Sequence, residues 1–191
     1  MTRNGVTGPD GAHIVVILSH PGKSVANQTI IDTLVEKFGQ NIQVRHLDQL
    51  YSDQKIDIEA EQRALVSAEL IILQFPMYWY NMPPSLKNWL DLVFSYGFAY
   101  GTSYKLEDKL LLVSTTTGGE DKQYQEKTVN DYLTSLESTS KFTKMKFAGI
   151  LAVHSMLLVP GLVGEESNIR KRASNHAKQV IIPKIESLLS I

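Results

Sequence analysis

Residues 13–27 read HIVVILSHPGKSVAN, and the order of chemistry within them decides the fold. HIVVIL (13–18) is a continuous, β-branched run without polar alternation, the pattern of a parallel strand covered on both faces. SHPGK (19–23) interrupts it. From Ser24 the apolar residues take up near-helical spacing at Val25, Ile30, Ile31, Leu34, Val35 and Phe38, until Gly39 stops the segment.

The same alternation continues along the chain. Strands are expected near 41–47, at ELIILQF (69–75), within KLLLVSTTTGG (109–119) and at 146–154. Helices are expected near 57–67, 84–95, 126–140 and 167–190, the last kinked at Pro183. Five strands alternating with five helices predict an α/β fold: a five-stranded parallel sheet with helices on both faces, in three layers. Residues 13–191 read as one domain, and residues 1–12 as a flexible extension or an expression remnant, with no apolar stretch of a signal peptide. In such sheets ligands bind beyond the carboxyl ends of the strands, where strand order reverses. The loops after the first, third and fourth strands are therefore the candidates.

Composition narrows the chemistry. The 191 residues are 43% hydrophobic, enough for one core, and 19 Lys and Arg against 20 Asp and Glu give a net charge of -1. No strong field recruits nucleic acid or an anionic membrane. The absence of cysteine excludes disulfides, thiolate catalysis and thiolate metal sites, so redox chemistry requires a cofactor, and no metal site is expected. Residues 147–164 (FAGILAVHSMLLVPGLVG) contain no Asp, Glu, Lys or Arg, but their glycines, Pro160, His154 and Ser155 favour a buried strand followed by a loop over a membrane helix. A cytoplasmic location, or a peripheral one at the inner face of the membrane, is the expectation.

Each candidate loop has two readings. SHPGKSVAN (19–27) leads into a helix N-terminus that favours anions, with Ser24 as N-cap or hydroxyl donor and Asn27 on the first turn; the alternative is a capped helix and nothing more. Its GKS is not a nucleotide-binding P-loop, because Ile17 stands where the earlier glycine is required. QFPMYWYNMPP (74–84) offers Met77, Tyr78, Trp79 and Tyr80 as a wall for a flat apolar ligand or as a subunit interface. STTTGGE (114–120) is either a solvated turn or a place of close backbone approach to a ligand. Three such loops at one sheet edge favour a ligand site.

The sequence resembles the flavodoxin-like NAD(P)H quinone reductases, in particular the branch of the bacterial Kef-type potassium-efflux ancillary proteins and general stress protein 14. SHP (19–21), SVAN (24–27), YSDQKIDIEAEQ (51–62), QFPMYWYNMPPSLKNWLDLVFSYGFAYG (74–101) and TTGG (116–119) carry the resemblance, which runs from about His13 into the final helix. It implies a flavodoxin-like three-layer sandwich and an FMN-dependent NAD(P)H:quinone oxidoreductase working by two-electron ping-pong hydride transfer. FMN is the implied cofactor, FAD the alternative flavin, and NAD(P)H the electron donor. His20, Ser24, Val25, Ala26 and Asn27 would surround the phosphate and ribityl chain; Met77, Tyr78, Trp79 and Tyr80 would contact the flavin ring from one side, and Thr116, Thr117, Gly118 and Gly119 from another. Tyr124 is the implied catalytic residue.

Two positions depart from the relatives. Asn130 stands where mammalian relatives have a histidine thought, with a tyrosine, to balance charge on the reduced flavin, and an amide cannot take a proton in that way. The loop between His20 and Ser24 is shorter than in the Kef-ancillary branch. His154 reads as a hydrogen-bonded core or rim residue rather than a catalytic one. The resemblance further implies a homodimer, with SYGFAYG (95–101) near the partner and pocket, and a quinone or other small electron acceptor. Two alternative roles are a regulatory subunit of a Kef-type potassium-efflux transporter and a flavodoxin-type electron carrier.

Overall fold

A computed structural model describes residues 5–191. Its elements are β1 (Val6–Thr7), β2 (Ile14–Leu18), α1 (Val25–Phe38), β3 (Ile42–His46), α2 (Leu47–Leu50), α3 (Ile58–Ser67), β4 (Leu70–Pro76), α4 (Pro84–Val93), β5 (Leu110–Thr116), α5 (Val129–Tyr132), α6 (Thr134–Phe142), β6 (Lys146–Val153), α7 (Glu166–His176) and α8 (Ile182–Leu189). The sheet order is β1-β3-β2-β4-β5-β6, with every pair parallel except β1 with β3.

The expected five parallel strands are therefore present, but the sheet is six-stranded and mixed. The extra strand comes from residues expected to be a flexible extension. Val6 and Thr7 pair antiparallel with Arg45 and Val44, and the Gln43 side-chain amide ties down the following turn by donating to Pro9 O (2.9 Å) and Asp10 (3.0 Å). Gly8 is required in that turn: its φ is +99°, and a Cβ would lie 2.1 Å from Ile42 O. The short strand covers the otherwise open edge of β3.

Alternation along the strands builds two cores. Ile14, Val16 and Leu18 of β2 face α1, α7 and α8, whereas Val15 and Ile17 face α3, α4 and α6. On α4, buried Leu86, Trp89, Leu90 and Val93 recur at helical spacing and form its inward stripe. Residues 147–164 divide into β6 and a loop, and no helix among the described residues is long and apolar enough to cross a membrane.

Two expected helices are interrupted. The segment expected over 126–140 starts at Val129, where Thr128 and Asp131 form a capping box, and breaks at Leu133 before α6 begins. The last helix kinks as expected near Pro183, and the kink is carried by a widened turn at Ala177–Ile181. There the Ile182 N–H reaches back five residues to Ala177 O, which makes room for the proline ring.

One buried charge pair joins β3 to the helical layer below it. Glu61 of α3 is fully buried and accepts from Arg45 Nε at 2.9 Å, from Trp89 Nε1 at 2.9 Å and from the Tyr51 hydroxyl. Burial, then the neighbouring Glu61 carboxylate, pushes the Tyr51 hydroxyl pKa well up, so it remains a donor. Glu61→Gln leaves Arg45 as a buried, poorly compensated cation and should lower stability by about 3–5 kcal/mol in urea unfolding. The double variant Arg45→Met, Glu61→Leu should recover most of that loss, because it removes both buried charges together.

Candidate functional site

Strand order reverses at β2, whose successor β3 lies on one side and whose next neighbour β4 lies on the other. The loops after β2, β4 and β5 therefore share one end of the sheet around a crevice. Asn27, on the first turn of α1 and 1% exposed, binds these elements together. Its side-chain N–H groups donate to Ser24 Oγ (2.9 Å) and Thr116 Oγ1 (3.1 Å), and its carbonyl oxygen accepts from Gln74 Nε2 (2.7 Å).

The first loop presents an anion pocket. Ser24 caps α1 by accepting from the Asn27 N–H at 3.1 Å, which leaves the N–H groups of Val25 and Ala26 without helical partners. A cavity of about 370 Å³ opens there, lined by His20, Lys23, Ser24, Val25, Gln28 and Arg170 among others. His20 is fixed through its backbone N–H, which donates to Asp48 at 2.7 Å. Burial pushes its imidazole below the ordinary histidine value, so the ring is neutral at pH 7. Its buried Nδ1 has no hydrogen-bond partner among the described residues. Buried Ala26 can reach a ligand there only through its backbone N–H, and the Asn27 N–H is already taken by Ser24 Oγ.

The aromatic loop does not form one continuous wall. Met77 packs against the core, Tyr78 meets His20 edge-on at 6.3 Å, Trp79 is 94% exposed, and Tyr80 stacks on Tyr132 at 4.8 Å. The backbone explains the divergence. Tyr78 and Asn81 exchange backbone hydrogen bonds of 2.8 and 3.0 Å around Trp79 (φ +48°) and Tyr80 (φ +65°), a tight hairpin turn with two bulky residues in the left-handed region. That conformation costs on the order of 1–2 kcal/mol per residue. Strain of this kind is a mark of functional segments.

Opposite lies the glycine turn Thr116–Gly119. Thr117 N–H donates to Val153 O at 2.9 Å, and Gly119 O accepts from Ser155 N–H at 2.8 Å, so the end of β6 supports the turn. Among the described residues the N–H groups of Trp79, Tyr80, Gly118 and Gly119 have no partner, leaving free donors on both sides of the crevice. Tyr124 is half-buried, meets Tyr132 edge-on at 6.4 Å and lies 5.0 Å from the His154 ring. Asn130 is exposed on α5.

Several participants escaped the sequence reading. Gln74, a polar residue inside an apolar strand, was the legible signal for the Asn27 tie. Asp48, Arg170 and Tyr132 carried none, because each comes from a segment remote in sequence. A second cavity of about 560 Å³, bordered by Pro21, Asp48, Tyr51, Ser52, Tyr78 and Asn88, lies on the α2–α4 side and was equally unforeseen.

Trp79→Asn tests whether the hairpin strain is intrinsic to the chain. Asparagine tolerates the left-handed conformation, and the exposed indole makes no buried contact to lose. Thermal unfolding should show a gain of about 0.5–1 kcal/mol; a loss of similar size would mean that the indole is packed against something in solution.

A model of the flavodoxin-like fold matches residues 12–180. Among solved structures, general stress protein 14 from Treponema denticola, in complex with FMN, is 26% identical with a TM-score of 0.78, over 92% of this chain and 98% of that one. A chain from the structure of a thermophilic tryptophan halogenase from Streptomycin violaceusniger is 32% identical with a TM-score of 0.76, over 87% and 98%. An NADPH-quinone reductase from P. pentosaceus is 29% identical with a TM-score of 0.71, over 88% and 99%. With that extent of match and a parallel strand order that reverses at the crevice, the chain belongs to the flavodoxin-like fold family.

Proposed function

We propose that the chain is an FMN-dependent NAD(P)H:quinone oxidoreductase. The observation that carries this reading is the donor arrangement: the loops around the crevice carry the free N–H groups of Trp79, Tyr80, Gly118 and Gly119, and at the start of α1 lies a pocket lined by Lys23, the Arg170–Glu166 ion pair and the open first turn of the helix. A flavin mononucleotide needs both parts, hydrogen-bond donors for its ring oxygens and an anion site for its phosphate. The orphaned His20 Nδ1 and the uncapped N–H groups of α1 fit the phosphate. FMN in the related stress protein and the reductase activity named for another relative support the same assignment.

Bound FMN would supply two-electron hydride chemistry between NAD(P)H and a quinone. The protein holds and orients. Lys23, His20 and the first turn of α1 would hold the phosphate through the free backbone N–H groups of Val25 and Ala26, with Asn27, whose own N–H is taken by Ser24 Oγ, fixing the turn. Met77 and Tyr78 would border the ring on the β4 side, and Thr116 and Thr117, leading into Gly118 and Gly119, on the other. Tyr124, on the turn after the glycines, would be the proton donor. A second copy of the chain would cover the exposed Tyr96 and Phe142, giving a cytoplasmic homodimer with a small-molecule acceptor.

The deciding experiment follows the visible spectrum of FMN-supplemented protein without oxygen as NADPH or NADH is added. Bleaching within seconds, reversed by a quinone, is expected; a band that persists with both nucleotides refutes the reductase. His20→Ala should weaken FMN binding about tenfold more than riboflavin binding, because only FMN presents a phosphate to the pocket.

A further inference from the structure

His154, set aside by the sequence as a core or rim residue, is the junction of a hydrogen-bond chain behind the glycine turn. Thr117 Oγ1 donates to Gly119 O at 3.0 Å, His154 Nδ1 lies 2.9 Å from the same hydroxyl, and His154 Nε2 faces Asp121 Oδ1 at 3.4 Å. The imidazole is 19% exposed and its ring lies 5.0 Å from that of Tyr124, on the same turn as Asp121.

Counting protons shows why this chain is pH-sensitive. The two hydrogen bonds need two hydrogens, one from Thr117 to Gly119 and one from His154 Nδ1 to Thr117, and the 3.4 Å approach of Nε2 to Asp121 becomes an ion pair only when Nε2 carries a third. A neutral imidazole protonated at Nδ1 makes both hydrogen bonds and leaves a bare Nε2 lone pair facing the Asp121 carboxylate. The imidazolium brings two N–H groups, and all three contacts are then made.

We propose that His154 is a proton-linked positioning residue, whose cation fastens the Asp121–Tyr124 segment to the Thr117–Gly119 turn and so sets the donors of that turn for the cofactor. Other charged and titratable groups border the ring. Arg172 of α7 donates to the His154 backbone carbonyl at 3.1 Å, and His176 of α7 has its imidazole held below the ordinary value by burial and then by His154. Asp121 supplies the facing negative charge, and the Tyr124 ring borders it. Because the Asp121 side chain is 83% exposed, the coupling is screened and graded rather than all-or-none. A proton on His154 Nε2 closes the latch, and its loss releases Asp121.

The flavin arm of the test rests on the cofactor reading above. Riboflavin, which lacks the phosphate and so removes His20 and phosphate ionisation from the comparison, is titrated into the protein at pH 5.5, 7 and 8.5. The wild-type protein should bind it about twofold to fivefold more tightly at pH 5.5 than at pH 8.5. Asp121→Asn should reduce that ratio, and His154→Gln, whose amide can still donate to Thr117, should abolish it. Parallel pH profiles for wild type and His154→Gln overturn the proposal.

A second arm needs no flavin. The ¹⁵N shifts of Gly118 and Gly119 in the cofactor-free protein should move between pH 8.5 and 5.5 in wild type, less in Asp121→Asn, and not at all in His154→Gln. If the wild-type protein binds neither FMN nor riboflavin at any pH, the cofactor reading fails while this arm still decides the latch. Glycine shifts that move equally in all three proteins, or in none, overturn it.

Discussion

Parallel strands all end at the same edge, and the crossovers that follow β2 and β4 leave that edge in opposite directions. The reversal opens a gap that no helix fills. Around it stand the first turn of α1, the strained hairpin after β4 and the glycine turn after β5. The Asn27 amide holds this geometry, because its donors and its acceptor tie Ser24, Gln74 and Thr116 across three elements in a buried setting. A polar group so buried is costly unless satisfied, and its partners are therefore held in register.

The two sides of the crevice are stiffened differently. On the β4 side, backbone strain at Trp79 and Tyr80 is held by the Tyr78–Asn81 hydrogen bonds and by the stack of Tyr80 on Tyr132. On the β5 side, hydrogen bonds from Thr117, Ser155 and Met156 lace the glycine turn to the end of β6. The first arrangement uses strain and the second uses pairing, yet both leave peptide N–H groups free at the crevice. Sites that must bind a planar cofactor gain from such pre-set donors, since little ordering remains to be done on binding.

Much of the fold was legible because it rests on local pattern. The apolar runs of β2 and β4, the helical spacing of α1, the stop at Gly39 and the kink at Pro183 each reflect a preference of a short segment. The edge strand β1 was not legible: Val6 and Thr7 make too short a run to carry a period, and they become a strand only because β3 offers an unpaired edge. The break at Leu133 was hidden in the same way, since the Thr128–Asp131 capping box competes with continuing the helical pattern upstream.

By itself the sequence determined the alternation of strands and helices, the loops that would meet at the sheet's carboxyl edge, and a cofactor as the only route to redox chemistry in a chain without cysteine. Only the tertiary structure decided how those loops present themselves. It turned the four side chains of the aromatic loop in different directions while leaving backbone donors free, and it brought His154 to Thr117 and Asp121. The physical reason is that secondary structure follows from near neighbours, whereas a site's hydrogen bonds and protonation depend on groups that only the folded sheet brings within 3–4 Å of one another.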